Sequence, residues 1–130
     1  MSELTREDCI IILQFGIHIA KIDGDFDVWE KKVLKRFADA MGLTEQEKTE
    51  MLNKTISLAH GLEKLSSIEA RSLLLKTLCA VSDSDGEAHE TEIEFINKVI
   101  EKLGSQVFVL PRSEWKVYQD EVISTLQSMA

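Results

Sequence analysis

Ile10-Ile11-Ile12-Leu13-Gln14-Phe15-Gly16-Ile17-His18-Ile19-Ala20-Lys21-Ile22-Asp23-Gly24 is the stretch that decides the fold. From about Glu7 to Ile22 the chain is apolar nearly all round and too long for an ordinary strand, which predicts a helix buried at the centre of a domain. Gly24 can adopt the left-handed conformation that ends such a helix. The next helix begins near Asp27, whose spacing to Glu30 is that of a capping box. Trp29, Val33, Phe37 and Met41 then fall at four-residue steps, with Leu34 and Ala38 beside them, and Glu30, Lys31, Lys32, Lys35 and Arg36 take other positions. This spacing puts Trp29 in the core with Val33, the alternative being a binding surface beside the first acidic turn, and stops the helix at Gly42.

Downstream, Thr44-Glu45-Gln46-Glu47 offers another capping box, opening a third helix through Met51, Leu52, Ile56 and Ala59 towards His60-Gly61. Ser66 or Ser67 caps a second central helix through Leu73-Leu74-Leu75, Leu78, Cys79 and Val81. After Asp85-Gly86 a one-sided helix follows through Ile93, Ile96, Val99, Ile100 and Leu103 to Gly104. Pro111 interrupts Val107-Phe108-Val109-Leu110, which reads as an extended packing strap because a single short strand would lack a partner. Ser113-Glu114-Trp115 opens a last helix, about 113–128, with Trp115, Tyr118, Val122, Leu126 and Met129 on one face. The fold class is therefore all-α, a compact helical bundle.

The bundle carries one device twice. Asp23-Gly24 and Asp85-Gly86 stand sixty-two positions apart, and at that offset Glu30 meets Glu92 and Gly42 meets Gly104. Apolar positions between them match as well: Val33 with Phe95, Leu34 with Ile96, Phe37 with Val99, Met41 with Leu103. An internal pseudo-two-fold repeat of helix, Asp-Gly turn and helix, about 7–43 and 67–104, explains the coincidence economically.

A chain of 130 residues with 44% apolar content makes one domain, 1–130. Its net charge of −8 disfavours nucleic acid and anionic membrane surfaces, whose affinity comes from neutralising phosphates with Lys and Arg. No stretch approaches the roughly 20 apolar residues of a membrane span, and the start, Ser2-Glu3-Leu4-Thr5-Arg6-Glu7-Asp8, is charged where a signal peptide would be apolar. The expected location is the cytoplasm. Cys9 and Cys79 lie in apolar helical patterns and read as buried reduced thiols, not as a disulfide or a metal site.

Ile19-Ala20-Lys21-Ile22-Asp23-Gly24 to Glu30, and Val81-Ser82-Asp83-Ser84-Asp85-Gly86 to Glu92, resemble the TerB-like domain. That is the acidic helical module of bacterial tellurite-resistance proteins, similar also to a domain attached to some membrane-anchored DnaJ-type co-chaperones. The resemblance covers roughly Leu4 to Leu103. It implies a helical bundle with an acidic, divalent-cation-binding surface and a role inside larger stress-response assemblies, and it supplies no catalytic residues. The chain departs from the family's alanine-rich lead-in at Lys21 and Ile22 in the first copy and at Ser82 and Ser84 in the second.

From Asp83 to Glu94 there are six carboxylates and no Lys or Arg. Like charges about 6 Å apart repel by roughly 0.7 kcal/mol even in water, and the preceding helix points unpaired carbonyls at the same turn. A hard cation, Ca2+ or Mg2+, suits that setting. The candidate metal-facing residues are Asp23, Asp25, Asp27 and Glu30 in the first copy and Asp83, Asp85, Glu87 and Glu92 in the second. The alternative is that these acids cap helices and form turns without any ion. Neither segment is an EF-hand: counted from Asp83 the sixth place is Ala88 where that loop needs Gly, and counted from Asp23 the twelfth is Leu34.

His89 reads as a solvated histidine or, less simply, a transition-metal ligand; His18 reads as a core or boundary residue. No nucleophile stands in a recognisable motif, and no Gly-rich phosphate loop or zinc spacing occurs. Tellurite itself, an oxyanion, would meet repulsion. The sequence therefore points to a non-enzymatic module that docks to other proteins, its acidic turns taking divalent cations or basic surfaces. The alternative is a structural adaptor that receives a partner helix in an apolar groove near Trp115 and Tyr118 without metal. A metal-dependent phosphoesterase lacks a Lys or Arg placed to hold phosphate.

Overall fold

The structure, a computed structural model, describes residues 4–22, 24, 28–54, 57–84, 86, 88–104 and 109–129. Among them are seven α-helices and no strand: α1 (Arg6–Lys21), α2 (Val28–Ala40), α3 (Glu45–Asn53), α4 (Leu58–Lys64), α5 (Ile68–Ser82), α6 (Glu90–Leu103) and α7 (Val117–Ser128), with a 3₁₀ turn at Arg112–Glu114. The expected all-helical fold is what the chain adopts.

Helix α1 is central because its apolar residues leave no polar face wide enough for solvent. Cys9, Ile11, Ile12, Leu13, Phe15, Gly16, Ile19 and Ala20 are all buried. Helix α5 is built likewise, and the two pack more extensively on each other than any other pair. Around this pair the contacts are reciprocal: α2 lies on α1 and reaches α5, while α6 lies on α5 and reaches α1. Helix α7 covers α2 and α5 through Tyr118, Val122 and Leu126.

Local chemistry sets the helix ends. Thr5 and Thr44 form capping boxes with Asp8 and Glu47, and the Ser67 hydroxyl accepts the Ala70 N–H at 3.1 Å. At the end of α2 the Leu43 N–H returns to the Ala38 carbonyl and the Gly42 N–H to Asp39, a Schellman closure.

Three expectations need correction. The third helix does not run from Thr44 to Gly61. Lys54 leaves α3 in an extended conformation, φ −87° and ψ 138°, and Ser57 starts α4 afresh; Ile56, placed in that helix by the sequence, lies outside the described residues. Trp29 is not in the core but 53% exposed, with the Lys32 ammonium 4.9 Å from its ring centre. It occupies the first turn of α2, where Val28 is exposed too. A four-residue spacing fixes which face Trp29 shares with Val33, but not whether a neighbour extends far enough to cover it. Trp115 lies before α7, not inside it, because its indole N–H donates back to the Leu110 carbonyl at 2.8 Å. Val109 and Leu110 of the strap are half-buried against the core; Val107 and Phe108 lie outside the described residues.

Candidate functional site

The two Asp-Gly turns close in the same way. Gly24 donates its N–H to the Lys21 carbonyl at 3.0 Å, and Gly86 donates to Asp83 at 2.9 Å. One residue pair earlier, Ile22 donates to Ile19 and Ser84 to Val81, at 3.3 and 3.2 Å. Gly24 and Gly86 have φ of +84° and +86°, values open to glycine and strained for other residues. The ends of α1 and α5 are therefore closed by the same pair of backbone hydrogen bonds at matching positions.

The two glutamates six residues past the glycines are not solvent-facing. Glu30 is 4% exposed and Glu92 1%. Glu92 accepts the backbone N–H of His89 through Oε1 at 3.0 Å, so its carboxylate secures the start of α6. His89 is the N-cap residue of that helix, a role its type does not advertise. Asp83 is the C-cap residue of α5 and half-buried. Asp23, Asp25, Asp27, Asp85 and Glu87 lie outside the described residues. Among the described residues no three His, Cys, Asp or Glu side chains come together as a metal-ligating group.

The hydroxyls around the second turn were not singled out as ligands by the sequence. Ser82, 2% exposed, and Ser84 each carry a buried Oγ with no hydrogen-bond partner among the described residues. Such an atom in a native fold calls for a water or an ion. Both flank Asp83 at the carbonyl end of α5, where the helix dipole is negative. The sequence signal was the interruption of an apolar helix by Ser82 and Ser84 just before Asp85-Gly86.

The remaining charges are partly cancelled elsewhere. Salt bridges join Arg6 to Glu47, Lys48 to Asp39 and Glu45, Lys64 to Glu7, and Lys76 to Glu121. Glu90 and Glu94, one turn apart on α6, are exposed, and none of these bridges reaches them. Cys9 and Cys79 are buried free thiols, as expected. Burial, then the Asp8 charge, pushes Cys9 up to about 11; burial and Asp83 push Cys79 up as well. Neither is poised as a nucleophile at neutral pH. Trp115 and Tyr118, near which the sequence suggested an apolar groove, are 6% and 2% exposed and form core. A groove lies instead between α2 and α3, with Leu34 and Ala38 on one side and Met51 and Leu52 on the other.

No described helix is long and apolar enough to cross a membrane. Comparison with protein-family models, curated proteins and solved structures finds no match.

Proposed function

We propose that the protein is a non-enzymatic docking module of the TerB-like kind, working in the cytoplasm within a bacterial stress-response assembly, and that its second Asp-Gly turn takes up a divalent cation. The observation that carries the cation reading is the pair of buried hydroxyls, Ser82 Oγ and Ser84 Oγ, left without a partner in a carboxylate-rich turn. Hydroxyl, carboxylate and helix-end carbonyl oxygens are hard donors, the set that Ca2+ and Mg2+ prefer over thiolate or imidazole. In this reading Asp83 and Asp85 supply charge and Glu92 holds α6 in position without touching the ion. Isothermal titration with Ca2+, Mg2+ and Mn2+ tests it. Saturable heat that vanishes in a Ser84→Ala, Asp85→Asn variant supports the site; silence with all three ions in the wild type removes it.

A second reading, a metal-free adaptor that meets a basic surface of a partner protein, is favoured by Glu90 and Glu94. Exposed like charges one turn apart on a helix repel each other and are relieved by an incoming cationic side chain. Association that survives a chelator and weakens with added salt would select this reading over the first.

A further inference from the structure

We infer that the exposed face of α2 is the seat of a second copy of this chain, which docks through the exposed face of its α6. The inference rests on the reading of Glu90 and Glu94 as a docking face, and it names the partner. Along α2 the solvent-facing residues include Val28, Trp29, Lys32, Lys35 and Arg36, which the helical turn gathers into about a third of the circumference. Val28 and Trp29, 57% and 53% exposed, leave an apolar pair open at one end of this face. The charges beside them are not cancelled. Lys32 lies over the Trp29 ring and Arg36 donates to the Gln119 amide oxygen at 2.8 Å, both neutral partners. Among the described residues no salt bridge reaches Lys32, Lys35 or Arg36. Lys31 already has a partner and takes no part; Asp39, the acid at the far end of the face, is held by Lys48.

Charge selects the occupant. The net charge of −8 sets the molecule as a whole against phosphate backbones and anionic membranes, whereas a second copy brings a complementary surface at the same spacing. At the offset of sixty-two positions that aligns the two Asp-Gly turns, Val28 corresponds to Glu90 and Lys32 to Glu94. Helix α6 therefore exposes two acids one turn apart, and α2 exposes Lys32 and Arg36 one turn apart. Residues four apart on a helix stand about 6 Å from each other, so the two faces match in pitch and oppose in sign. Laid antiparallel, they set Arg36 against Glu90 and Lys32 against Glu94. Lys98, the base that shares the α6 face, then falls one turn further on, against uncharged Val28. Trp29 and Arg36 are of the residue types that most often anchor an interface. Repulsion between two net-negative copies is screened beyond about 8 Å at physiological ionic strength, while facing charge pairs lie inside that distance.

Sedimentation equilibrium of the whole chain at about 0.15 M salt, with chelator present, reads self-association apart from the proposed cation site. We expect an average mass that climbs above the monomer with a Kd on the order of 0.1 mM. Trp29→Ala should weaken the association about tenfold. Lys32→Glu with Arg36→Glu, and separately Glu90→Lys with Glu94→Lys, should each leave a monomer of unchanged circular dichroism, because like charges then face each other. Mixed in equal amounts, these two charge-reversed variants should associate again, since each supplies the faces the other lacks. A shift of four charges leaves both variants net negative, so bulk attraction does not bring them together. A wild type that stays monomeric at about 1 mM, or a mixture that does not recover the association, overturns the inference. Two probes separate that failure from the failure of the docking reading. A monomeric wild type that binds a lysine-rich peptide through Glu90 and Glu94 keeps the basic-partner reading and loses self-association; silence with that peptide removes both. Polyglutamate that binds the α2 face of a monomeric wild type also overturns the inference and gives that face to a foreign acidic partner.

Discussion

The Leu110 backbone N–H donates to the phenol oxygen of Tyr118 at 2.6 Å, and the Leu110 carbonyl accepts the Trp115 indole N–H at 2.8 Å. Both peptide groups of one residue are thus held by aromatic side chains from the segment that follows it. An extended piece of chain with no sheet to join must satisfy its polar groups some other way. Here the aromatic pair substitutes for a neighbouring strand while burying its rings in the core.

Tyr118→Phe keeps the buried ring and removes only the acceptor, leaving the half-buried Leu110 N–H to find water. Stability should fall by about 1–2 kcal/mol, read as a lower urea midpoint at unchanged slope. A midpoint equal to that of the wild type would mean that this hydrogen bond adds nothing beyond solvation.

His18 faces Phe95 across the contact of α1 with α6, ring centres 5.1 Å apart, and burial holds its pKa below the ordinary 6.5. The unfolded chain therefore binds a proton here more readily than the folded one. The contribution is complete above about pH 6.5 and is lost as pH falls through the lower folded-state value. Thermal scans from about pH 7 down to about pH 5 should show a falling Tm, and His18→Gln should flatten that part of the profile. A slope unchanged by the substitution would assign the acid sensitivity to another group.

The architecture was legible because α1 and α5 are apolar on nearly every side, a pattern that only the centre of a helical bundle accommodates. Cys9, Cys79 and Tyr118 followed from register alone. What sequence spacing could not carry was distance to a neighbour. Trp29 keeps the register of Val33 and Phe37 yet is exposed, and Met51 has a buried side chain on a helix too short to close its own groove. The acidic turns were visible as Asp-Gly pairs, but a carboxylate gives no sign in one dimension of whether it meets solvent or a backbone N–H. Glu92, grouped with the metal-facing acids, also holds the His89 N–H through Oε1, and the buried hydroxyls of the second turn belong to Ser82 and Ser84, residues that resemble helix interruptions.

Three glycines separate backbone strain from steric crowding. A Cβ at Gly24 or Gly86 would meet no atom within 4 Å, so the whole penalty of Gly→Ala there comes from the positive φ, about 1–2 kcal/mol each. Gly16 is the reverse case: it lies within α1, and its Cβ would come 2.9 Å from Leu34 Cδ2. That neighbour is the tip of a flexible side chain and can yield, so the roughly 1 kcal/mol that alanine gains over glycine in a helix offsets the crowding, and Gly16→Ala should be nearly neutral. Gly86→Asn should recover part of the loss seen with alanine, because asparagine tolerates the left-handed region better. Chemical denaturation of the four variants orders them: Gly24→Ala and Gly86→Ala lowest and alike, Gly86→Asn between, Gly16→Ala near the wild type. If the two turn glycines differed widely in cost, their shared hydrogen-bond pattern would not reflect shared energetics, and the two turns would have to be treated as separate structures.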